Sequence, residues 1–236
     1  KLLAVRNDKL GDLILTLPAL RIIKSSIPDI EIDCLVDQKF CDIHKVTKLI
    51  DNIICPQNDL IDKIVARNYD YSISFFSTFN TGYKLWKSNI KKRYAPATKL
   101  AQIFYNKKIK QKRSSSVKSE YEYNNDLAKY FLRDNAYQIL TSNNFCISLK
   151  EQIDISNKRK SLVFIHPFTG GSSKTLSCND FISLCKELNK LKKCRFVLHC
   201  DSYDHQKCLE LEKEAQGLDI KTIPPTKNLT KMLNLL

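Results

Sequence analysis

Leu2-Leu3-Ala4-Val5-Arg6-Asn7-Asp8-Lys9-Leu10-Gly11-Asp12 is the stretch on which the fold turns. Four consecutive apolar residues ending at Arg6 suit a strand buried on both faces, the habit of parallel sheets. A glycine turn then leads into residues 12–25, where Leu13, Leu17, Leu20 and Lys24 fall near helical spacing. Pro18 must kink that helix or start a second one. The alternation continues with strands expected at Ile30 to Val36, Ile53 to Cys55 and Tyr71 to Phe76, and an amphipathic helix at Leu60 to Arg67. A β-α-β-α rhythm predicts a parallel sheet covered by helices, the doubly wound α/β class.

A helix is expected over 120–133, with Leu127, Tyr130 and Phe131 as its apolar face. Residues 148–160 are polar and read as an inter-domain linker. The rhythm then restarts. Strands are expected at Leu162 to Ile165, Arg195 to His199 and Ile220 to Ile223, with helices at Asn179 to Leu191 and Tyr203 to Ala215. Phe181, Leu184, Leu188 and Leu191 would share one face of the first of these helices. A further helix begins at Thr226. The expected division is a first α/β domain at 1–147, a linker at 148–160 and a shorter α/β domain at 161–236.

The composition permits a packed core: 43% of the 236 residues are hydrophobic. No run approaches the ~18 apolar residues of a membrane helix. Arg6, Asp8, Lys9 and Asp12 interrupt any signal-peptide pattern, so a cytoplasmic protein is expected. The nine cysteines are odd in number and lack C-x-x-C spacing, which predicts reduced thiols. His205 and Cys208 are spaced like half a zinc site without a second half, so no metal is expected.

The net charge of +14 favours an anionic partner. Residues 84–113 concentrate it: Lys84, Lys87, Lys91, Lys92, Arg93, Lys99, Lys107, Lys108, Lys110, Lys112 and Arg113 occur without a single acid, with Trp86, Tyr94, Phe104 and Tyr105 among them. Basic residues interleaved with aromatics suit single-stranded nucleic acid. No RRM, KH or similar motif accompanies them, so nucleic acid is not the expected partner, and a non-catalytic basic protein that binds RNA or an anionic membrane through this stretch is the alternative reading.

Chemistry is expected at two strand-to-helix turns, because ligands of open α/β sheets bind at the carboxyl ends of strands. In the first, Asp12 follows Gly11 and is either a helix cap or a carboxylate at the mouth of a cleft. The second reads Ile165-His166-Pro167-Phe168-Thr169-Gly170-Gly171-Ser172-Ser173-Lys174-Thr175. It is not a Walker A loop, and the chain has no G-x-G-x-x-G. It offers a Gly-Gly turn, two hydroxyls and a lysine before a helix, which is either a diphosphate cradle or a solvated surface loop.

Asp8-Lys9-Leu10-Gly11-Asp12, followed by Leu15-Thr16-Leu17-Pro18-Ala19-Leu20, resembles the start of glycosyltransferase family 9, the ADP-heptose:lipopolysaccharide heptosyltransferases. Ile165-His166-Pro167, Gly170-Gly171 and Lys174, with Phe181 and Leu184, resemble the start of that family's second domain. The resemblance implies a GT-B-like fold, two Rossmann-like domains with parallel sheets, and an inverting transfer of heptose from ADP-heptose to the lipopolysaccharide inner core without metal or cofactor. It implies Asp12 as the base, with Gly11 beside the acceptor, and Thr169, Gly170, Gly171, Ser172, Ser173 and Lys174 around the donor diphosphate. The acid facing the donor ribose falls at Asp201 or Asp204. The implied partners are an ADP-sugar, a phosphorylated lipid A-core acceptor and, through residues 84–113, the cytoplasmic face of the inner membrane.

Leu176 stands where the family usually has Trp, and the family's Asp-x-Gly-Pro-x-His segment is not found. The second domain is therefore expected to be incomplete, as in a fragment or a truncated and inactive remnant of such an enzyme.

Overall fold

A computed structural model describes residues 1–45, 47–56, 58–97, 100–115, 117–140, 161–168 and 175–225. The chain divides into two compact units, Lys1–Ser148 and Leu149–Leu236. The expected linker at 148–160 and the helix from Thr226 lie outside the described residues.

The first unit holds a six-stranded parallel sheet. Its strands are β1 (Leu2–Arg6), β2 (Ile32–Val36), β3 (Asn52–Ile54), β4 (Tyr71–Ser74), β5 (Lys92–Pro96) and β6 (Lys107–Ile109), in the order β3-β2-β1-β4-β5-β6. Leu2, Leu3, Ala4 and Val5 are fully buried, as a central strand covered on both faces requires. Side chains alternate along a strand. Leu3 and Val5 join a cluster with Leu60 and Ile64 of α3 (Leu60–Arg67) and Leu85 of α4 (Phe79–Lys87). On the opposite face α5 (Glu120–Asp134) packs Phe131 edge-on against Tyr71 and Tyr94. Arg6 is in step with Leu2 and Ala4, and so belongs to the α5 side.

Between β1 and β2 lie two helices, α1 (Leu10–Ile14) and α2 (Leu17–Ser26). Pro18 occupies the first turn of α2, where its missing N–H costs nothing, so the proline starts a second helix rather than kinking one.

Strands β5 and β6 lie within the basic stretch 84–113, where the sequence predicts none. Lys92 and Arg93 sit where β5 enters the sheet. Lys92 donates to Asn135, and Arg93 donates to the carbonyls of Phe104 and Ile90. Lys107 of edge strand β6 pairs with Asp134 at 2.8 Å. Lysines on an edge also discourage a further chain from pairing there. Part of the basic excess is therefore structural.

Asp33 of β2 is fully buried at the amino-terminal end of the sheet. Its carboxylate accepts hydrogen bonds from Arg67 (2.6 and 2.9 Å), Asn52 (2.9 Å) and the Tyr69 hydroxyl. Burial and the neighbouring carboxylate push the Tyr69 phenol above its ordinary pKa. Asp33→Ala should destabilise the chain by about 2–3 kcal/mol, the scale of charge-assisted hydrogen bonds. Arg67 keeps Glu31 at 2.6 Å, which limits the loss. Urea denaturation measures it, and an unchanged midpoint would mean that water replaces the carboxylate.

Cys41 and Cys55 are joined in a disulfide, with Cα atoms 6.4 Å apart. This corrects the expectation of uniformly reduced thiols. The 3-10 segment Gln38–Lys45 packs beside β3 and brings Cys41 to the loop that follows that strand. Cys34, Cys178, Cys185, Cys194, Cys200 and Cys208 are free.

The second unit carries a parallel sheet in the order β7 (Ser161–Ile165), β8 (Cys194–Leu198) and β9 (Ile220–Thr222). Its helices are α6 (Cys178–Leu191) and α7 (His205–Glu214). The buried face of α6 is rotated from the expected one. Ile182 and Cys185 are buried, with Phe181 and Leu188 packed beside them, whereas Leu184 and Leu191 are exposed. Cys185 acts as a small hydrophobe and selects this face. Among the described residues, no helix is long and apolar enough to cross a membrane.

Candidate active site

The order of the first sheet reverses between β1 and β4: β2 and β3 extend it one way, and β5 and β6 the other. Such a switch point opens a crevice outside the carboxyl ends of the two strands, where doubly wound proteins bind ligands. Arg6 ends β1 there, and Asn7, Asp8 and Lys9 lead into α1.

The Arg6 side chain is 4% exposed and gathers every nearby acid. Its Nε lies 2.8 Å from Asp8, one terminal nitrogen 3.3 Å from Asp12, and the other 2.8 Å from Glu120 at the start of α5. The Phe75 carbonyl accepts a further bond at 3.2 Å, and the Phe76 ring lies 6.0 Å away. Arg113 pairs with the same Glu120 oxygen at 2.6 Å. Burial lowers the Arg113 pKa from its ordinary value, and the charge of Arg6 adds to that. Two guanidinium groups thus face three carboxylates, leaving one negative charge in excess.

That excess is best placed on Asp12. Its side chain is 31% exposed, against 14% for Asp8 and 25% for Glu120. Burial pushes the Asp8 carboxyl above its ordinary pKa despite the opposing pull of Arg6. The N-cap of α1 is Lys9, so Asp12 is not the cap but a first-turn carboxylate. Its backbone carbonyl accepts the Thr16 hydroxyl at 2.8 Å. Asn124 of α5 donates to Thr16 and to the Leu15 carbonyl, tying α5 to the α1–α2 junction. A methyl group at Gly11 would meet nothing within 4 Å, so internal packing does not demand glycine there. Asn7 Oδ1 is buried without a hydrogen-bond partner among the described residues.

No family model matches the sequence. A Haemophilus influenzae protein with a glycosyltransferase designation is 34% identical over 97% of this chain and 72% of its own length. The chain belongs to the glycosyltransferases. It is an α/β glycosyltransferase with a GT-B fold. The E. coli heptosyltransferase WaaC, solved with ADP-2-deoxy-2-fluoro heptose, superposes with a TM-score of 0.77 at 18% identity, over 96% of this chain and 76% of that one. E. coli ADP-heptose LPS heptosyltransferase II gives 0.72 at 14% identity, over 94% and 72%. A family 9 glycosyltransferase from Veillonella parvula gives 0.74 at 14%, over 94% and 68%.

Of the site residues expected from sequence in this glycosyltransferase, Gly11 and Asp12 stand at the switch point. Thr169, Gly170, Gly171, Ser172, Ser173 and Lys174 lie outside the described residues. Their flanks are described: β7 ends at Ile165, and α6 opens with a capping box between Ser177 and Asp180. At the carboxyl ends of β7 and β8, the rings of His166 and His199 are 5.6 Å apart, and Phe164 stacks on His199. Burial holds the His199 pKa down, and His166 pushes the same way. Asp204 is buried and paired with Lys207 at 2.9 Å, whereas Asp201 is exposed.

Sequence reasoning placed Arg113 on the outer basic face and gave Arg6 and Glu120 no role. A lone arginine ending an apolar strand was the available signal for Arg6. Nothing local marks Glu120.

Proposed function

We propose that this glycosyltransferase moves heptose from ADP-heptose to the lipopolysaccharide inner core with inversion, and that Asp12 is its base. The observation that carries the reading is the carboxylate of Asp12 at the switch point, partly open to solvent and held by a buried arginine. The Asp12 carboxylate takes the proton of the acceptor hydroxyl as its oxygen bonds to the sugar C1. The C1–oxygen bond to the diphosphate breaks, and its electron pair leaves with ADP. Gly11 keeps the backbone beside Asp12 bare, so a sugar can approach. The acceptor is then the phosphorylated lipid A-core, and the enzyme works at the cytoplasmic face of the inner membrane.

On the donor side, Lys174 and the turn Thr169-Gly170-Gly171-Ser172-Ser173 hold the diphosphate, supported by their place between a parallel strand and a helix N-terminus. Asp201, the freer of the two candidate acids, faces the ribose. A lysine aimed at the leaving diphosphate stabilises charge that develops in the transition state. Lys174→Ala should weaken ADP binding by about 1.5–3 kcal/mol. Calorimetry with ADP checks this, and unchanged affinity would return Lys174 to the solvent.

The reading as a whole is tested by ADP release from ADP-heptose in the presence and absence of a lipid A-core acceptor. Acceptor-dependent release is expected. Release that the acceptor does not stimulate, alongside turnover of another nucleotide sugar, would overturn the assignment of substrates.

A further inference from the structure

We infer that the outer face of α4, together with the 3-10 segment Leu100–Phe104, is a docking surface for an anionic lipid bilayer. The buried side of α4 is Thr81, Gly82 and Leu85. Its other side leaves Phe79 55% and Trp86 52% exposed, with Tyr83 between them. The 3-10 segment adds Leu100 at 80% and Ile103 at 67%. Scattered exposed apolar residues are ordinary, but five on two segments that pack side by side mark an interaction surface.

Phe104 holds the group together. Its ring lies 4.8 Å from Phe79, 6.0 Å from Tyr83 and 6.3 Å from Trp86. Gly82 makes room for it: a Cβ there would stand 3.0 Å from the Phe104 ring. Arg93 fixes the segment by donating to the Phe104 carbonyl at 2.7 Å. The apolar surface is therefore built and supported from beneath.

Charge selects the occupant. Residues 79–113 contain no acid. Lys107 and Arg113 are engaged with Asp134 and Glu120, and Lys92 with Asn135, so these three do not serve an external anion. Lys84 and Lys87 lie on α4 itself, with the Lys87 ammonium 5.9 Å from the Tyr83 ring. Aromatic rings and aliphatic chains bordered by lysines match the interface of a bilayer with anionic headgroups. A second copy of the same face would set lysine against lysine. The aliphatic tips Leu100 and Ile103 offer nothing to nucleic-acid bases. The surface rests on the glycosyltransferase reading only for its purpose, which is to bring the enzyme to a lipid-anchored acceptor.

Trp86 is the single tryptophan and lies inside the surface, so its emission reports directly. With vesicles of phosphatidylethanolamine and phosphatidylglycerol at low salt, its emission should move to shorter wavelength and resist iodide quenching. High salt, or vesicles of phosphatidylcholine alone, should largely abolish the change. Leu100→Ser with Ile103→Ser should lower the partition coefficient at least tenfold. Lys84→Gln or Lys87→Gln should lower it about fivefold, the equivalent of ~1 kcal/mol per basic residue at such a surface. Lys108→Gln with Lys110→Gln should change it less than twofold. Unchanged emission with the anionic vesicles would overturn the proposal. So would binding that survives the Leu100/Ile103 change, or a blue shift that depends on protein concentration without lipid. ADP affinity, measured on the same variants, should stay unchanged. If vesicles bind while ADP does not, the donor reading fails and the surface stands.

Discussion

Asp12→Asn lowers kcat by about 10²–10⁴-fold, the worth of a positioned general base. The amide keeps the shape of the carboxylate, and its oxygen can still accept from Arg6, 3.3 Å away in the native chain. It cannot take a proton from the acceptor hydroxyl. Folding should therefore survive while turnover falls, and KM for the acceptor should move little. The comparison that gives the result its meaning is Asp8→Asn. Asp8 lies on the same arginine, but it is more buried and its pKa is raised by desolvation. If Asp12 is the base, the Asp8 change costs far less. Near-normal turnover by a folded Asp12→Asn protein would move the role to Asp8.

Arg6→Met should cost about 3 kcal/mol of stability, and most of the activity with it. Removing one member of a buried charge network costs about 3–5 kcal/mol. The lower end applies because Asp12 and Glu120 keep partial access to water. Without the guanidinium, Asp8 loses the opposing charge that restrains its rise, so its folded pKa climbs further. A carboxyl whose folded pKa lies above its unfolded value contributes stability that is full below the unfolded pKa. That stability is lost as pH rises through the folded pKa. The deficit of Arg6→Met should therefore be larger at neutral pH than near pH 4. Denaturation at the two pH values measures it. A deficit independent of pH would mean that lost packing, not charge, carries the effect.

The carboxyl-end turn of β1 was legible in the sequence because four apolar residues before a polar turn have few other solutions. The helix at Leu60–Arg67 was legible because its periodicity and its left-handed Asn68 cap are local. The family motif marked Gly11 and Asp12 for the same reason: everything it needs lies within a few residues.

β5 and β6 were not legible. Their lysines and arginines look like a solvated run until Asp134, Asn135 and the carbonyls that receive them are brought alongside. The exposed aromatic face of α4 depends on Phe104 settling against Gly82, a contact at a sequence separation of 22 that no helical period records. The buried face of α6 turned on whether Cys185 or Leu184 met the sheet, and both satisfy the helical spacing.

By itself, then, the sequence determined a parallel α/β chain and the turn that carries its proposed base, because short-range patterning fixes burial and turn chemistry. Only the tertiary structure decided that Glu120, 114 residues beyond Arg6, completes the charge network around Asp12. Such a pairing is set by which strand ends and helix ends the sheet order brings together, and no local run of residues contains that information.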